Sequence, residues 1–422
     1  VPRSADPSEA GNSANLSASA LRDYIKCPFR FYLKDVLRIG EEDKSVDYME
    51  ASVFGTVVHN TLEFIFIHHV GRGNSLTLLG KLFEDDRWKL RPQVRNEILD
   101  ILRDNIVINQ YGVKRPDADS DEAHKRRWER ARRRIRRQDE LMAGALLEFV
   151  ERTIMKDYAD TAEGLRRYID YLVRHNADQA EIDRYNEKLE AITGQDILFE
   201  AAEYSLAANV GTGNNQWELS DGRKVNVTFK IDRLDRIVDS AGNTLRLRFI
   251  DYKTGSDSKE MQSVESLYPK SVGDALGWAA PKEYDTHGTA LQLLLYAMLF
   301  DDFLGESWGH PDIELHLYTL MKAFAVSDKN RFDDSHMRVV PARGETGDTR
   351  LIWMHNPEEA DTARTPKLVG LEEKFREGTD TLIREILDNS GTFVQTNDIN
   401  ACAYCDFARL CEKNAVVQDI DS

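Results

Sequence analysis

Long apolar runs are missing from this chain of 422 residues. No stretch approaches the roughly 20 apolar residues that a membrane-spanning helix requires, and no signal peptide opens the chain. An intracellular, cytoplasmic protein with no membrane association is therefore expected. Cysteine is scarce too: four in so long a chain do not make a disulfide scaffold. Cys27 stands alone, whereas Cys402, Cys405 and Cys411 crowd the other end. A nucleotide-binding glycine loop is also absent, because Val210-Gly211-Thr212-Gly213-Asn214-Asn215 lacks the Lys-Ser/Thr ending and reads as a turn. No ATP-driven motor is visible. Positive charge is in the minority, with 56 Lys and Arg against 73 Asp and Glu and a formal net charge of -17. That balance argues against a protein that coats nucleic acid over its whole surface. It leaves room for a local basic groove, since phosphate binding depends on where Lys and Arg sit.

What is present, 41% hydrophobic and 31% charged residues, is the composition of a soluble globular protein. The length exceeds the usual single domain, so an elaborated core or two subdomains is expected. The chain starts at Val1, and the stretch to Ser19 is rich in Ser, Ala, Pro and Asn, which suggests a cut fragment with a flexible linker over 1–15. N-terminal helices over 16–75, a helical insertion over 76–193, a mixed α/β core over 194–390 and a cysteine-rich tail over 391–422 follow.

Helical spacing of Leu21, Tyr24, Ile25, Phe29, Tyr32, Leu33 and Val36 opens the ordered chain, with Ser17 or Ser19 as N-cap and Pro28 marking a break between two short helices. Phe54 to Val70 is a second helix, on which Gly55, His59 and Glu63 share a face. His59 there is either a packed histidine or a ligand where another backbone comes close. In the insertion, Leu141, Leu146, Leu147, Phe149 and Val150 repeat as apolar positions. The insertion also holds the one dense basic block, Lys125 to Arg137. It is either a solvated helix paired with nearby acids or a phosphate-tracking helix that uses Arg126, Arg127, Arg130, Arg133 and Arg134 with Trp128 for stacking.

Phe199 to Leu206 reads as a strand. Val225 to Asp232 alternates cleanly and ends with Asp232 on its polar face; Asp-Ser-Ala-Gly-Asn at 239–243 then turns the chain back. The returning strand carries Leu245, Leu247, Phe249 and Ile250, then Asp251-Tyr252-Lys253-Thr254-Gly255. Side chains at i and i+2 of a strand leave the backbone on one side, so Asp251 and Lys253 converge, and an antiparallel partner would bring Asp232 to a position neighbouring Asp251, in a register that the sequence does not fix. A carboxylate next to a lysine suits metal-assisted phosphodiester hydrolysis; an ordinary ion pair at a strand end is the alternative. Asp251 is also in phase with Leu245 and Phe249, so the strand is buried on both faces or bulged. Thr289 to Leu304 is an apolar helix with Gln292 and Tyr296 on one stripe, either boundary residues or site residues. Ile313 to Leu320 and Leu351 to Met354 are further strands, and Leu371 to Leu387 is an amphipathic helix.

Taken in order, Cys27-Pro28, Gly55 through His59, Ile231-Asp232-Arg233, Asp251 through Gly255, Gln292 through Tyr296 and Cys402 through Cys411 resemble the RecB-like branch of the PD-(D/E)XK nucleases. The likeness is greatest to the iron-sulfur nuclease domain of AddB-type recombination subunits, over residues 16 to 412. The resemblance implies a restriction-endonuclease-like α/β fold, a mixed sheet flanked by helices. It also implies Asp232, Asp251 and His59 around Mg2+, Lys253 as catalytic lysine, and Gln292 and Tyr296 positioning DNA or water. Glu203 is similar to an acidic position on the preceding strand. Phe229 stands where the family often has glycine. Two carboxylates suit magnesium, and Mn2+ should substitute.

The spacing of Cys402, Cys405 and Cys411, with Cys27 if the chain ends meet, lets four thiolates share one centre. Chemistry alone permits zinc or iron-sulfur; the resemblance implies a 4Fe-4S cluster acting as a structural clasp. It also implies a DNA nuclease, an exonuclease in double-strand break repair and recombination, joined to a helicase-like region and a partner subunit. The alternatives are a CRISPR-associated RecB-like nuclease, which the 76–193 insertion fits poorly, and a DNA-binding module without activity.

Overall fold

The sharp turn at 239–243 organises the sheet. Asp239 Oδ1 accepts from the backbone of Ala241 and Asn243 at 2.9 and 2.8 Å, and Gly242 takes the left-handed φ of 86° that the turn requires. In the computed structural model, the described residues are 16–39, 51–84, 89–206, 209, 214–253, 267–268, 284–319, 351–353, 371–388, 393–396, 401–402 and 405–412. The proposed linker over 1–15, Thr254-Gly255 and most of the glycine cluster at 210–215 lie outside them.

The turn joins β5 (Lys230–Asp239) to β6 (Thr244–Lys253). These strands form the middle of a mixed five-stranded sheet ordered β2-β5-β6-β7-β8, with β2 at Gln195–Ser205, β7 at Asp312–Thr319 and β8 at Leu351–Trp353. All pairings are antiparallel except β6 with β7. A parallel neighbour needs a crossover, supplied by the helix Tyr284–Phe300 that lies between these strands in the chain. A three-stranded sheet, β1 (Leu16–Ser17), β4 (Lys224–Thr228) and β3 (Gln216–Glu218), adjoins it.

Among the described residues, the α-helices of four or more residues are, in chain order, α1 (Ala18–Lys26), α2 (Pro28–Phe31), α3 (Ala51–Ile65), α4 (Pro92–Tyr111), α5 (Glu122–Arg133), α6 (Arg137–Ala159), α7 (Ala162–Arg174), α8 (Gln179–Ile192), α9 (Tyr284–Phe300) and α10 (Leu371–Asp388). Ser17 caps α1 by accepting from Ala20 N, a contact of about 1 kcal/mol. Pro28 opens α2, where its missing N–H costs nothing.

Two cores lie on the two faces of the large sheet. On one, Phe249, Leu247 and Leu234 pack with α1, α9 and α10; from Ala290 to Phe300 α9 is apolar nearly all round because it is enclosed. On the other, Ile250, Tyr252 and Ile237 pack with α3, α4 and α6. The second face also buries charge. Arg233 holds Asp157 of α6 through bonds of 2.6 and 2.7 Å, and Arg248 holds Asp235 at 2.7 Å. The Arg233 guanidinium lies 4.1 Å from the centre of the Phe66 ring.

Several sequence expectations change. The alternating run from Val225 to Asp232 is not one strand: it breaks at Phe229, so that β4 and β5 belong to different sheets. Phe229 is buried against Tyr296 and Phe300, and its carbonyl accepts from Leu206 N. Leu245 is exposed, because the register shifts between Ile237 and Val238 and Leu245 is passed over; from Leu247 to Tyr252 the strand is buried on both faces. Leu141 points to solvent, unlike Leu146, Leu147, Phe149 and Val150. Ser17, not Ser19, is the cap.

Candidate active site

The register of β5 with β6 pairs Arg233 with Ile250, so the next residues outward, Asp232 and Asp251, stand side by side. Asp232 Oδ2 accepts from Tyr252 N at 2.7 Å, which ties it to the neighbouring strand. Lys253, two positions beyond Asp251, turns to the same side and places Nζ 2.8 Å from Asp251 Oδ2. From above, α9 lowers Gln292 onto this pair. Its Nε2 donates to Asp251 Oδ1 and to Tyr296 Oη, both at 2.9 Å, and its Oε1 lies 3.4 Å from Lys253 Nζ.

His59 arrives from the opposite face. On α3 it reaches across the strand ends, with Nε2 3.0 Å from the Tyr252 carbonyl and Nδ1 3.4 Å from Asp232 Oδ1. Glu203 completes the group from β2, its Oε1 3.9 Å from His59 Nδ1, and it also pairs with Lys230. Glu203 has φ of 54°, a left-handed backbone that costs a non-glycine residue roughly 1–3 kcal/mol. That kink sits opposite Asp232, between the pairs Ala202 with Arg233 and Tyr204 with Ile231.

Potential ligand atoms of His59, Glu203 and Asp232 lie within 4.8 Å of one another. This differs from the expected trio of His59, Asp232 and Asp251. Asp251 leans instead toward Lys253 and Gln292. The donor set suits an oxygen-preferring divalent cation, and Asp251 Oδ2, buried without a well-aligned hydrogen bond beside the ammonium, is an oxygen such a cation would satisfy.

The electrostatics follow the crowding. Burial pushes Asp251 above its usual range; Lys253 opposes this and Asp232 adds to it. Burial works against a charged His59 ring, but the Asp232 carboxylate, with Asp251 behind it, outweighs burial and raises its pKa. Tyr296 is raised as well, by burial first and then by the charges of Asp251 and Asp232. The site thus concentrates negative charge around His59 and Lys253.

The α5 arginines are not part of this cluster. Trp128, expected as a stacking platform, is buried against Val107 and Val113 of the α4 end, because α5 needs an apolar anchor there. Arg132 turns inward to Asp104 at 2.8 Å and Arg133 pairs with Glu129. Arg126, Arg127, Arg130 and Arg134 are exposed and form no ion pair with a described residue. Arg127 and Arg130 line an open cavity of about 610 Å³ with Lys114 and His124. Contacts of Glu97 with His69 and of Asn105 with Thr61 show α4 running antiparallel to α3, so α5 covers the α4 end that lies toward His59.

At a separate place, Cys27, Cys402, Cys405 and Cys411 line one cavity of about 20 Å³. None is in a disulfide. Thr396 N donates to Cys27 Sγ at 3.4 Å and Phe29 N to the Val394 carbonyl, so the segment around Cys27 meets the one that leads towards Cys402.

A family model for the PD-(D/E)XK nuclease superfamily matches residues 15–412. The chain belongs to that superfamily. Its members are nucleases, hydrolases that typically use divalent metals, and the mixed sheet with flanking helices is consistent with a restriction-endonuclease-like fold. No curated protein matches the chain. Among the described residues, no helix is long and apolar enough to cross a membrane.

Sequence reasoning missed Arg22, whose Nη1 donates to Gln292 Oε1 at 3.2 Å. The two residues are far apart in the chain, and nothing local to Arg22 distinguishes it from a surface arginine.

Proposed function

We propose that this superfamily member is a magnesium-dependent deoxyribonuclease, an exonuclease that hydrolyses phosphodiester bonds during double-strand break repair, as the nuclease domain of an AddB-type helicase-nuclease subunit. The observation that supports it most is the meeting of Asp232, Asp251, Lys253 and Gln292 from two strands and a helix on one side of the sheet. A bound divalent cation supplies Lewis acidity to a phosphate oxygen and acidifies a water.

The residues do the rest. Asp232 and Asp251, with His59 and Glu203 beside them, would hold the cation. Lys253 orients the attacking water and offsets charge growing on phosphorus. Gln292 fixes both Asp251 and Lys253, and Tyr296 supports Gln292. Outside the site, Arg126, Arg127, Arg130 and Arg134 would follow the DNA backbone by charge alone.

For the four cysteines we favour a 4Fe-4S clasp. Their shared cavity and the N–H directed at Cys27 Sγ support one common metal centre, the resemblance to AddB-type domains favours iron-sulfur over zinc, and either would close a loop of roughly 375 residues between Cys27 and Cys402. Iron and sulfide analysis, set against zinc, tests this part.

End-labelled single- and double-stranded DNA, incubated with Mg2+, Mn2+ or EDTA, tests the activity. Metal-dependent cleavage that disappears in Asp251→Ala and Lys253→Ala is expected. Equal activity in wild type and both variants would overturn the assignment. Co-purification with a helicase-like subunit tests the partner.

A further inference from the structure

Arg22 reaches from α1 to α9. Its guanidinium lies against the α9 backbone at Gly288, where an added Cβ would stand 2.8 Å from Nε. One turn further along, Gln292 Oε1 accepts from its Nη1 at 3.2 Å. Glycine at 288 is what lets the guanidinium lie on the helix and still reach that oxygen.

The two ends of the Gln292 amide are chemically opposite: Oε1 only accepts and Nε2 only donates. Oε1 sits between two cations, Arg22 at 3.2 Å and Lys253 at 3.4 Å, and Nε2 donates to Asp251 Oδ1 and Tyr296 Oη. The Arg22 contact is the shorter of the two, and Lys253 is also committed to Asp251. Arg22 thus holds the oxygen end together with Lys253, which aims the N–H end at Asp251 Oδ1. Asp251 Oδ2 is then the oxygen left without a well-aligned hydrogen bond.

The geometry points to Arg22 as a positioning residue for phosphodiester cleavage, acting by fixing the Gln292 amide and, through it, the Asp251 carboxylate and the Lys253 ammonium. This rests on the nuclease reading above. Arg22 acts through Gln292, so its effect falls on kcat rather than on KM. A misplacement of catalytic groups by a fraction of an ångström corresponds to a loss of about 10- to 100-fold.

The test measures cleavage of a labelled DNA strand with Mg2+ by wild type, Arg22→Ala, Arg22→Lys, Gln292→Ala, the Arg22→Ala/Gln292→Ala double variant and Gly288→Ala. The last pushes the guanidinium aside without removing its charge, and alanine favours the helix. In parallel, the Gln292 side-chain amide is followed by NMR in protein labelled with ¹⁵N-glutamine and assigned by its loss in Gln292→Ala.

Arg22→Ala should lower kcat by about 10- to 100-fold with KM within about twofold, and Arg22→Lys should recover part of it. The double variant should be no worse than Gln292→Ala alone. Gly288→Ala should lower kcat while its Tm holds or rises, and the Gln292 amide signal should move in both Arg22→Ala and Gly288→Ala. Losses that multiply in the double variant, wild-type kcat in Gly288→Ala, or an unmoved amide signal would each overturn the proposal. If Arg22→Ala does not fold, Arg22→Lys and Gly288→Ala carry the test. If wild type cleaves no DNA, the nuclease reading fails separately, and the amide spectrum still decides whether Arg22 holds Gln292.

Discussion

Gln292 Nε2 and Asp251 Oδ1 are 2.9 Å apart, and this bond, with the longer one from Lys253 to Gln292 Oε1, joins the crossover helix α9 to the strand end that carries the acids. Since α9 around it is enclosed from Ala290 to Phe300, the amide is held in place by the packing of that stretch. Gln292→Ala should therefore reduce kcat while leaving the fold intact. Lys253→Ala should cost more, about 10²- to 10³-fold in kcat, the scale seen when a charge-stabilising donor is removed. Single-turnover cleavage checks both, with circular dichroism to confirm folding.

The buried pair of Arg233 and Asp157 bolts α6 to the sheet beneath the site. Arg233→Ala removes the close bidentate partner of the buried Asp157, leaving it the Tyr318 hydroxyl and a 3.5 Å contact with Arg248 while Asp235 keeps Arg248, and should destabilise the protein by about 3–5 kcal/mol. Urea denaturation measures it. A loss under about 1 kcal/mol would mean that water or another cation replaces the guanidinium.

Trp128 and the exposed arginines of α5 separate structure from binding. Trp128→Ala should cost about 3–5 kcal/mol through the cavity it leaves between α4 and α5. Exchanging Arg126, Arg127 and Arg130 for Ala should leave Tm nearly unchanged and flatten the salt dependence of DNA binding by about one in log–log slope per lost phosphate contact. Fluorescence anisotropy at several salt concentrations reads this directly.

Glu372 on α10 gives a pH signature. Burial, reinforced by Asp301 and opposed by Arg376, pushes its carboxyl up to about 7. The folded state thus holds a proton that the unfolded chain releases at lower pH. The stability this contributes is complete below the ordinary glutamate range and is lost as pH rises through about 7. Glu372→Gln should shrink the fall in Tm between about pH 5 and about pH 8; an unchanged fall would exclude Glu372 as its source.

Substituting Cys402 by Ser should abolish iron binding and lower Tm, because the two ends of the chain lose their common anchor. Metal analysis and thermal melting of the same preparation check it. Stoichiometric zinc in wild type would replace the cluster by a zinc clasp.

Much of the site was legible because its signals are local or set by one turn. The parity of Asp251 with Lys253 fixes two side chains on one side of a strand, whatever surrounds it, whereas Asp232 joins them only through the register shift between Ile237 and Val238, which the turn at 239–243 does not specify. Gln292 and Tyr296 announce themselves as polar residues one turn apart on an apolar helix. Against that, the run from Val225 to Asp232 reads as unbroken, and only the packing of Phe229 under Tyr296 shows why it divides between two sheets.

The linear order of residues by itself determined the hairpin, the apolar crossover helix and the grouping of thiols at each end, since periodicity and turn chemistry act over a few neighbours. The tertiary structure alone decided that Arg22 grips Gln292, that Glu203 bends left-handed opposite Asp232, and that Trp128 faces inward. Those outcomes depend on which surfaces of distant segments come within a few ångströms of each other, and neither charge nor hydropathy along the chain encodes that distance.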